Sequence, residues 1–327
     1  MIDRRHFIKL TGAALATCGY PATLRAQSPL KLARLIVGFP AGGSLDFVAR
    51  LLAEHLKGYA ETTIVENRAG AGGRIALETM KNALPDGSQF LLTPGDQLSL
   101  FPNIYTGLRY DPLRDFAPVG TVCTVQFVLT VGPQVPASVD TLAAFIAWCR
   151  DNPKLASYGT AGAGTRQHLM GASLARSASF EFVHVPYKGA PPALQDLLAG
   201  NIAANIAVIS TALPSIQSGQ LRALMTSAPR RSAQLPHVPT ARETGFADLE
   251  AIETFGLLLP AGVPTSTIDG LNAALRTALA STAVREGLGR LSFEPAGSSP
   301  EEYAGLIKSD LAAWADVVRA LRFKPLN

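Results

Sequence analysis

The residue types in this sequence that could do chemistry gather at two glycine-rich turns. The first runs Gly38-Phe39-Pro40-Ala41-Gly42-Gly43-Ser44-Leu45-Asp46. The second runs Tyr158-Gly159-Thr160-Ala161-Gly162-Ala163-Gly164-Thr165, with His168 one turn further on. Each reads as the exit from a short strand into a helix, with Ser44 or Thr165 where an N-cap would sit. A helix start leaves backbone N–H groups without intrahelical partners, at the positive end of the macrodipole. That environment suits an anion, and glycine lets the backbone approach one closely. Taken alone, each turn reads first as a capped strand-to-helix corner. Two of them in two halves of one chain point to a cleft whose sides close on a carboxylate through Gly42–Ser44 and Ala161–Thr165.

Other chemistries fail on particular residues. Gly159 to Gly164 has the spacing of a phosphate loop, but Thr165 and Arg166 stand where its lysine should be. Gly162-x-Gly164 is followed by Gln167, not by the third glycine of a dinucleotide fingerprint. Ser44 lacks the Gly-x-Ser-x-Gly frame of a hydrolase elbow, and His55, His168, His184 and His237 are scattered without a sequence-adjacent partner. No cysteine–histidine spacing suggests a metal, and the reading is of a binding protein without cofactor or catalysis. Asp46 lies in a first helical turn, where its charge either favours the dipole and stiffens the loop or positions a water beside the ligand. His168 points either into the cleft or to solvent. Arg68 and Lys188 either lend an anion electrostatic help or are simply solvated.

The chain has 327 residues, enough for two domains, and 47% of them are hydrophobic against 17% charged. Its formal net charge is +4. Residues 1–26 carry about +3 of it, which leaves a nearly neutral body and argues against a nucleic-acid binder. Arg4-Arg5-His6-Phe7-Ile8-Lys9 is close to a twin-arginine export signal, with Asp3 and Ile8 departing from the usual pattern. The apolar segment Leu10–Thr17 is too short to span a bilayer, and Leu24-Arg25-Ala26 offers a cleavage point before Gln27. Leu15-Ala16-Thr17-Cys18 is a rival, lipobox-like site that would anchor the protein through Cys18. Both routes lead out of the cytoplasm. Cys123 and Cys149 remain after processing, and they read as unpaired thiols in different elements, although the compartment allows a disulfide.

The elements that position the turns alternate strand with helix. Leu32–Val37, Thr63–Val65 and Phe90–Thr93 read as short buried strands, with helices over Asp46–Leu56 and up to Lys81. Such alternation predicts a parallel α/β sheet. Thr124–Val131 is a longer strand that leads the chain out of the first domain. A second series follows, with helices Thr141–Asp151, Gln167–Ala178 and Pro192–Gly200 and strands ending at Tyr158, Phe182–Val185, Ala203–Ile209 and Leu221–Thr226. After strand Phe255–Pro260 only helices are expected, Thr265–Ala280 and Pro300–Leu321, packing back on the first domain.

Ordered blocks along the whole mature chain resemble the Bug family, the extracytoplasmic solute receptors of tripartite tricarboxylate transport. They are Leu35–Asp46, Val65-Glu66-Asn67-Arg68-Ala69-Gly70-Ala71-Gly72-Gly73, Pro85-Asp86-Gly87 and Tyr110–Phe116. Then come Tyr158–Thr165 with His168-Leu169, His184–Gly189, Leu221–Leu224, Leu235–Thr240 and Pro260–Pro264. The resemblance implies a type II periplasmic binding fold, two α/β lobes around a ligand cleft. It places lobe 1 at 27–129 plus 252–327 and lobe 2 at 130–251, with hinges near Val128–Val131 and Ile252–Phe255. It further implies a small carboxylate held by backbone groups and waters of the two loops. The residues carried over are Phe39, Ala41, Gly42, Gly43, Ser44, Asp46, Gly72, Thr160, Ala161, Gly162, Gly164, Thr165, His168 and Ala207. A monomer would present the ligand to membrane transporter components or, alternatively, to a sensor protein.

The sequence departs from the family where the ligand's tail should lie. Ile206-Ala207 stands where relatives often have Phe-Asp, Thr93-Pro94-Gly95-Asp96-Gln97 where they have Gly-Thr-His, and Val125-Gln126 where Pro-Asn is expected. Without an acid at Ala207 the expected ligand is a carboxylate that needs no ammonium group.

Overall fold

The computed structural model describes residues 29–321 and 323–326. The twin-arginine stretch, Cys18 and the cleavage point after Ala26 lie outside the described residues. The chain opens with β1 (Leu30–Val37), α1 (Ser44–Ala53), β2 (Ala60–Asn67), a 3-10 turn at Ala71–Gly73, α2 (Arg74–Lys81) and β3 (Gln89–Pro94). Two short helices, α3 (Asp96–Ser99) and α4 (Phe101–Ile104), lead to the long strand β4 (Phe116–Val131). Next come α5 (Leu142–Asp151), β5 (Ser157–Thr160), α6 (Arg166–Ser177), β6 (Val183–Pro186) and α7 (Ala190–Leu198). They are followed by β7 (Ala204–Val208), α8 (Ile209–Gln217) and β8 (Arg222–Thr226). The chain returns through β9 (Ile252–Pro260) and ends with α9 (Thr265–Ala280), α10 (Thr282–Arg290), β10 (Glu294–Pro295) and α11 (Pro300–Leu321).

Strand alternation explains the first half. On β1, Leu35 and Val37 join one core cluster with Val48 and Leu52 of α1 and Leu271 and Leu275 of α9. Ile36 points the other way, to Leu77 and Met80 of α2 and Tyr303 of α11. Phe90, Leu91 and Leu92 of β3 and Leu257, Leu258 and Leu259 of β9 divide in the same way. Both faces are covered, so these strands read as continuous apolar runs.

The sheet is mixed, not the parallel one that strand–helix alternation predicts. β2-β1-β3 and β7-β5-β6 are parallel sets, but β9 runs antiparallel to β3 and β4, and β4 runs antiparallel to β7, β8 and β10. The reason is the route of the chain. β4 leaves the first half and β9 re-enters it, and two strands joining the same halves in opposite directions lie side by side. Phe116 to Gln126 pair with β9, whereas Phe127 to Val131 pair with β7 and β8. Ser227 fastens the crossing. Its Oγ accepts from the Phe127 N–H at 2.8 Å and donates to the Ala251 carbonyl at 2.6 Å.

Three further differences from the sequence reading have local causes. β4 begins at Phe116, well before Thr124, because Pro118 and Gly120 sit at register shifts that break the apolar pattern. Helix α8 follows β7 directly and carries Pro214 inside it, which hides its period. β10 adds a two-residue strand beside β4 where only helices are expected. Cys123 and Cys149 are both buried and unpaired, and burial pushes the Cys149 thiol up to about 12. No helix among the described residues is long and apolar enough to cross a membrane.

Candidate functional site

Between the two halves lies a mainly apolar cavity, the kind of place where small-molecule sites are built. Phe39, Phe101 and Phe255 form much of the wall on one side, and Pro191, Ala207 and Val208 face them. Four helices of eight residues or more begin at this cavity. Gly43, Ser44 and Leu45 open α1, and Thr165 and Gln167 flank the start of α6. Ala190 and Pro191 open α7, and Val208 and Thr211 open α8. The starts of α1, α6 and α8 bring backbone N–H groups and the positive ends of their dipoles to the cavity, whereas Pro191 and Pro192 leave α7 with few N–H groups to offer. Sequence reasoning found two of these starts; α7 and α8 join them only through the fold.

In the first loop the cap assignment changes. Gly43, not Ser44, is the N-cap of α1. Ser44 is thereby free to reach the other half, where its Oγ lies 2.7 Å from Ser210 Oγ and 3.0 Å from Thr211 Oγ1. Asp46 is 3% exposed and turned inward to its own loop. Its Oδ2 accepts from the Gly42 N–H at 3.0 Å and from Arg50 Nε at 2.9 Å, and its Oδ1 accepts from Asn67 Nδ2 at 2.9 Å. Burial pushes the Asp46 pKa up, but these hydrogen bonds outweigh it and hold the carboxyl below its usual range.

The second loop is braced as tightly. Thr165 stands at the N-cap of α6 without capping it; its hydroxyl donates to the Gly162 carbonyl at 2.9 Å. His168 Nδ1 accepts from the Gly164 N–H at 3.1 Å, and its ring stacks on His184 at 3.7 Å between centroids. Burial drives the His168 pKa down to about 4, so the ring is a neutral acceptor. Thr160 Oγ1 lies 2.7 Å from His184 Nε2 and donates to the Gly162 carbonyl at 2.9 Å. Gly164 has φ +74° and packs against Ile104 and Tyr105 of the first half.

Among the sequence-selected residues, Phe39, Gly43, Ser44, Gly72, Ala161, Thr165 and Ala207 line the cavity. Ala41, Gly42, Asp46, Thr160, Gly162, Gly164 and His168 are not part of its lining. Arg68 is paired with Glu66 at 2.7 Å, and Lys188 is exposed. Neither reaches the cavity.

The fold adds a charged group that spacing did not reveal. Arg166, first residue of α6, holds Asp96 of α3 across the halves through Nη2 at 2.5 Å and Nε at 3.1 Å, and its backbone N–H reaches the same carboxylate at 3.2 Å. Part of the anion-binding capacity of α6 is therefore taken by the protein's own carboxylate. Its guanidinium face covers Trp314 of α11 at 4.7 Å. Beside Asp96 lies Glu253, 3% exposed and also in the cavity wall. Burial, and then the negative charge of Asp96, push its pKa well above the usual glutamate value. The sequence did carry a signal for it, a single acid two residues before the apolar run Phe255–Pro260. No group of three or more His, Cys, Asp or Glu among the described residues is placed to hold a metal ion.

Residues 48–323 match the tripartite tricarboxylate transporter family receptor model. Protein BugT of Bordetella pertussis is 34% identical over 325 residues, covering 97% of this chain and 98% of that protein. The periplasmic binding protein BugD superposes with a TM-score of 0.86 at 29% identity, over 91% of this chain and 100% of that one. A Rhodopseudomonas relative, R. palustris Rpa4515 with adipate, gives the same TM-score and identity over 92% of this chain and 100% of its own. The architecture is that of a periplasmic binding protein, two α/β lobes around a cleft.

Proposed function

This chain belongs to the tripartite tricarboxylate transporter receptor family, a family of solute-binding receptors and not of enzymes, and we propose that it captures a small carboxylate between its lobes. The observation that carries the proposal is the convergence of helix starts on one cavity, with Gly43, Ser44, Leu45, Ala161 and Thr165 in its wall. Their N–H groups, directly or through water, take the ligand's carboxylate. The site works as a monomer, outside the cytoplasm, and delivers its ligand to a membrane transporter. The lobes, 27–129 plus 252–327 and 130–251, open about the crossing where Ser227 ties Phe127 to Ala251. Asp46 and His168 act through the loops they brace.

The ligand's tail meets an apolar wall whose charges are already balanced. Asp96 is neutralised by Arg166, burial pushes Glu253 towards its uncharged form, and Ala207 supplies no acid. An amine-free acid fits that wall; adipate, bound by the R. palustris relative, is one such acid. Native mass spectrometry of the purified protein, followed by a thermal-shift screen of mono-, di-, tricarboxylic and aromatic acids, tests the proposal. At a hundredfold excess over its dissociation constant the true ligand adds about 2.7 kcal/mol of stability. Absence of a shift with every acid removes the carboxylate clamp. Tight binding of aspartate or glutamate alone removes the amine-free preference.

A further inference from the structure

One amide in the cavity wall has no hydrogen-bond partner in the protein. Gln167, the second residue of α6, lines the cavity and is 6% exposed. Its side chain makes no hydrogen bond to any of the described residues, and its polar atoms are not sealed in the core. An amide carries two N–H donors and an acceptor oxygen, and buried polar groups are almost always paired. One left unpaired beside a cavity marks a place for a ligand atom. Its neighbours in the chain hold it there. Arg166 is fixed to Asp96 through its guanidinium and its backbone N–H, with Trp314 under its face. His168 accepts from the Gly164 N–H and stacks on His184. Most other polar side chains of the wall are spent inside the protein. Ser44 Oγ and Thr211 Oγ1 lie 3.0 Å apart, the Thr165 hydroxyl donates to the Gly162 carbonyl, and Gln97 bonds the Thr93 hydroxyl and the Gly72 carbonyl.

We propose that Gln167 is a specificity-determining residue that touches the ligand, its side-chain N–H groups donating to a second oxygen on the tail of the bound acid. The inference rests on the carboxylate clamp described above and adds a ligand class to it. That class is an acid with a second carboxylate, hydroxyl or carbonyl oxygen, not a plain aliphatic monoacid. The division of labour follows from what α6 has already given away. Its first N–H, that of Arg166, is taken by Asp96. The ligand's first carboxylate is therefore left to the α1 loop and the turn Ala161–Thr165, and the Gln167 amide stays available for another oxygen. A neutral amide donates to an ionised or a neutral oxygen alike, and the positive end of the α6 dipole strengthens the contact when that oxygen is charged. An acid without the second oxygen leaves the amide unpaired in an apolar wall, and that cost rejects it.

Isothermal titration calorimetry at about pH 7.5, where carboxylates are ionised, tests the assignment with two pairs of probes. Adipate is compared with hexanoate, and malate with butyrate, each monoacid keeping the carbon chain of its partner. The wild-type protein should bind the preferred diacid at least about tenfold more tightly than the matching monoacid. Gln167→Met keeps the length of the side chain and removes its donors. It should weaken the diacid by about tenfold and the monoacid by no more than about twofold, so that the discrimination collapses. Because the amide has no protein partner, the unliganded variant should melt no lower than the wild type. Gln167→Glu, a second variant, puts a like charge in the same place and should weaken the diacid further still. Equal binding of diacid and monoacid by the wild type overturns the role of Gln167 and leaves the clamp standing. So does an equal loss for both acids in Gln167→Met, an unchanged diacid affinity, or a lowered melting temperature of that variant without ligand. Failure of every acid in the thermal-shift screen, these four included, overturns both.

Discussion

Asp46 illustrates how a residue near the proposed site can be spent on its own loop. Its charge is spent on the Gly42 N–H, Arg50 and Asn67, all within the first lobe, so it fixes the curvature of the loop that presents Gly43 and Ser44. Asp46→Ala should cost about 1–3 kcal/mol in urea denaturation, because buried donors lose their acceptor. The Asp46 pKa is depressed in the folded protein, so its contribution is present above the ordinary aspartate pKa and fades as pH falls below it. That acid-side loss should be absent from the variant's stability profile. The glycines separate in the same way. A Cβ on Gly43 meets nothing nearer than the Pro40 carbonyl oxygen at 3.5 Å, and the residue lines the cavity. Gly43→Val should therefore abolish carboxylate binding while leaving the melting temperature nearly unchanged. From sequence alone Gly164→Val looks equally clean, and the structure corrects that. Its φ is +74°, and a Cβ would lie 2.6 Å from Ile104 Cδ1, so this variant loses stability as well as binding.

At the scale of elements, most of the chain was legible because both sheet faces are buried and the helices carry clear apolar stripes. What escaped were elements whose pattern is interrupted: α8 with its internal Pro214, the early half of β4 around Pro118 and Gly120, and the four-residue helices α3 and α4. They are also the elements that complete the site, since α8 supplies Ser210 and Thr211 and α3 supplies Asp96. Ser44→Ala removes the hydroxyl contacts to α8 and should weaken ligand binding by about 0.5–1.5 kcal/mol in calorimetry, with little effect on the unliganded fold. At the crossing, Ser227→Ala strands the Phe127 N–H and the Ala251 carbonyl. It should lower the denaturation free energy by about 1–3 kcal/mol. Unchanged stability in that variant would mean that the two connecting strands hold without the tie.

For the whole molecule the proposed event is closure. Contacts already bridge the cleft: Ser44 to Ser210 and Thr211, Asp96 to Arg166, and the Tyr105 hydroxyl to the Ala163 carbonyl at 2.8 Å. Small-angle scattering should show a smaller radius of gyration with a bound acid than without one, and Asp96→Asn should shift the unliganded protein toward the open form. An identical scattering profile in all these states would argue against closure as the binding step. The linear chain already dictates the family, the two anion-suited loops, the alternation of strand and helix and the absence of a nucleotide motif. These are local properties, written in glycine placement and in the spacing of apolar residues. Only the tertiary structure decides that the sheet is mixed, that four helix starts share one cavity, and that Arg166 answers Asp96 while Glu253 is buried in the same wall. Those relations join residues far apart in the chain, 167 positions in the case of Ser44 and Thr211. Burial and electrostatic pairing depend on distance through space, which spacing along the chain does not encode.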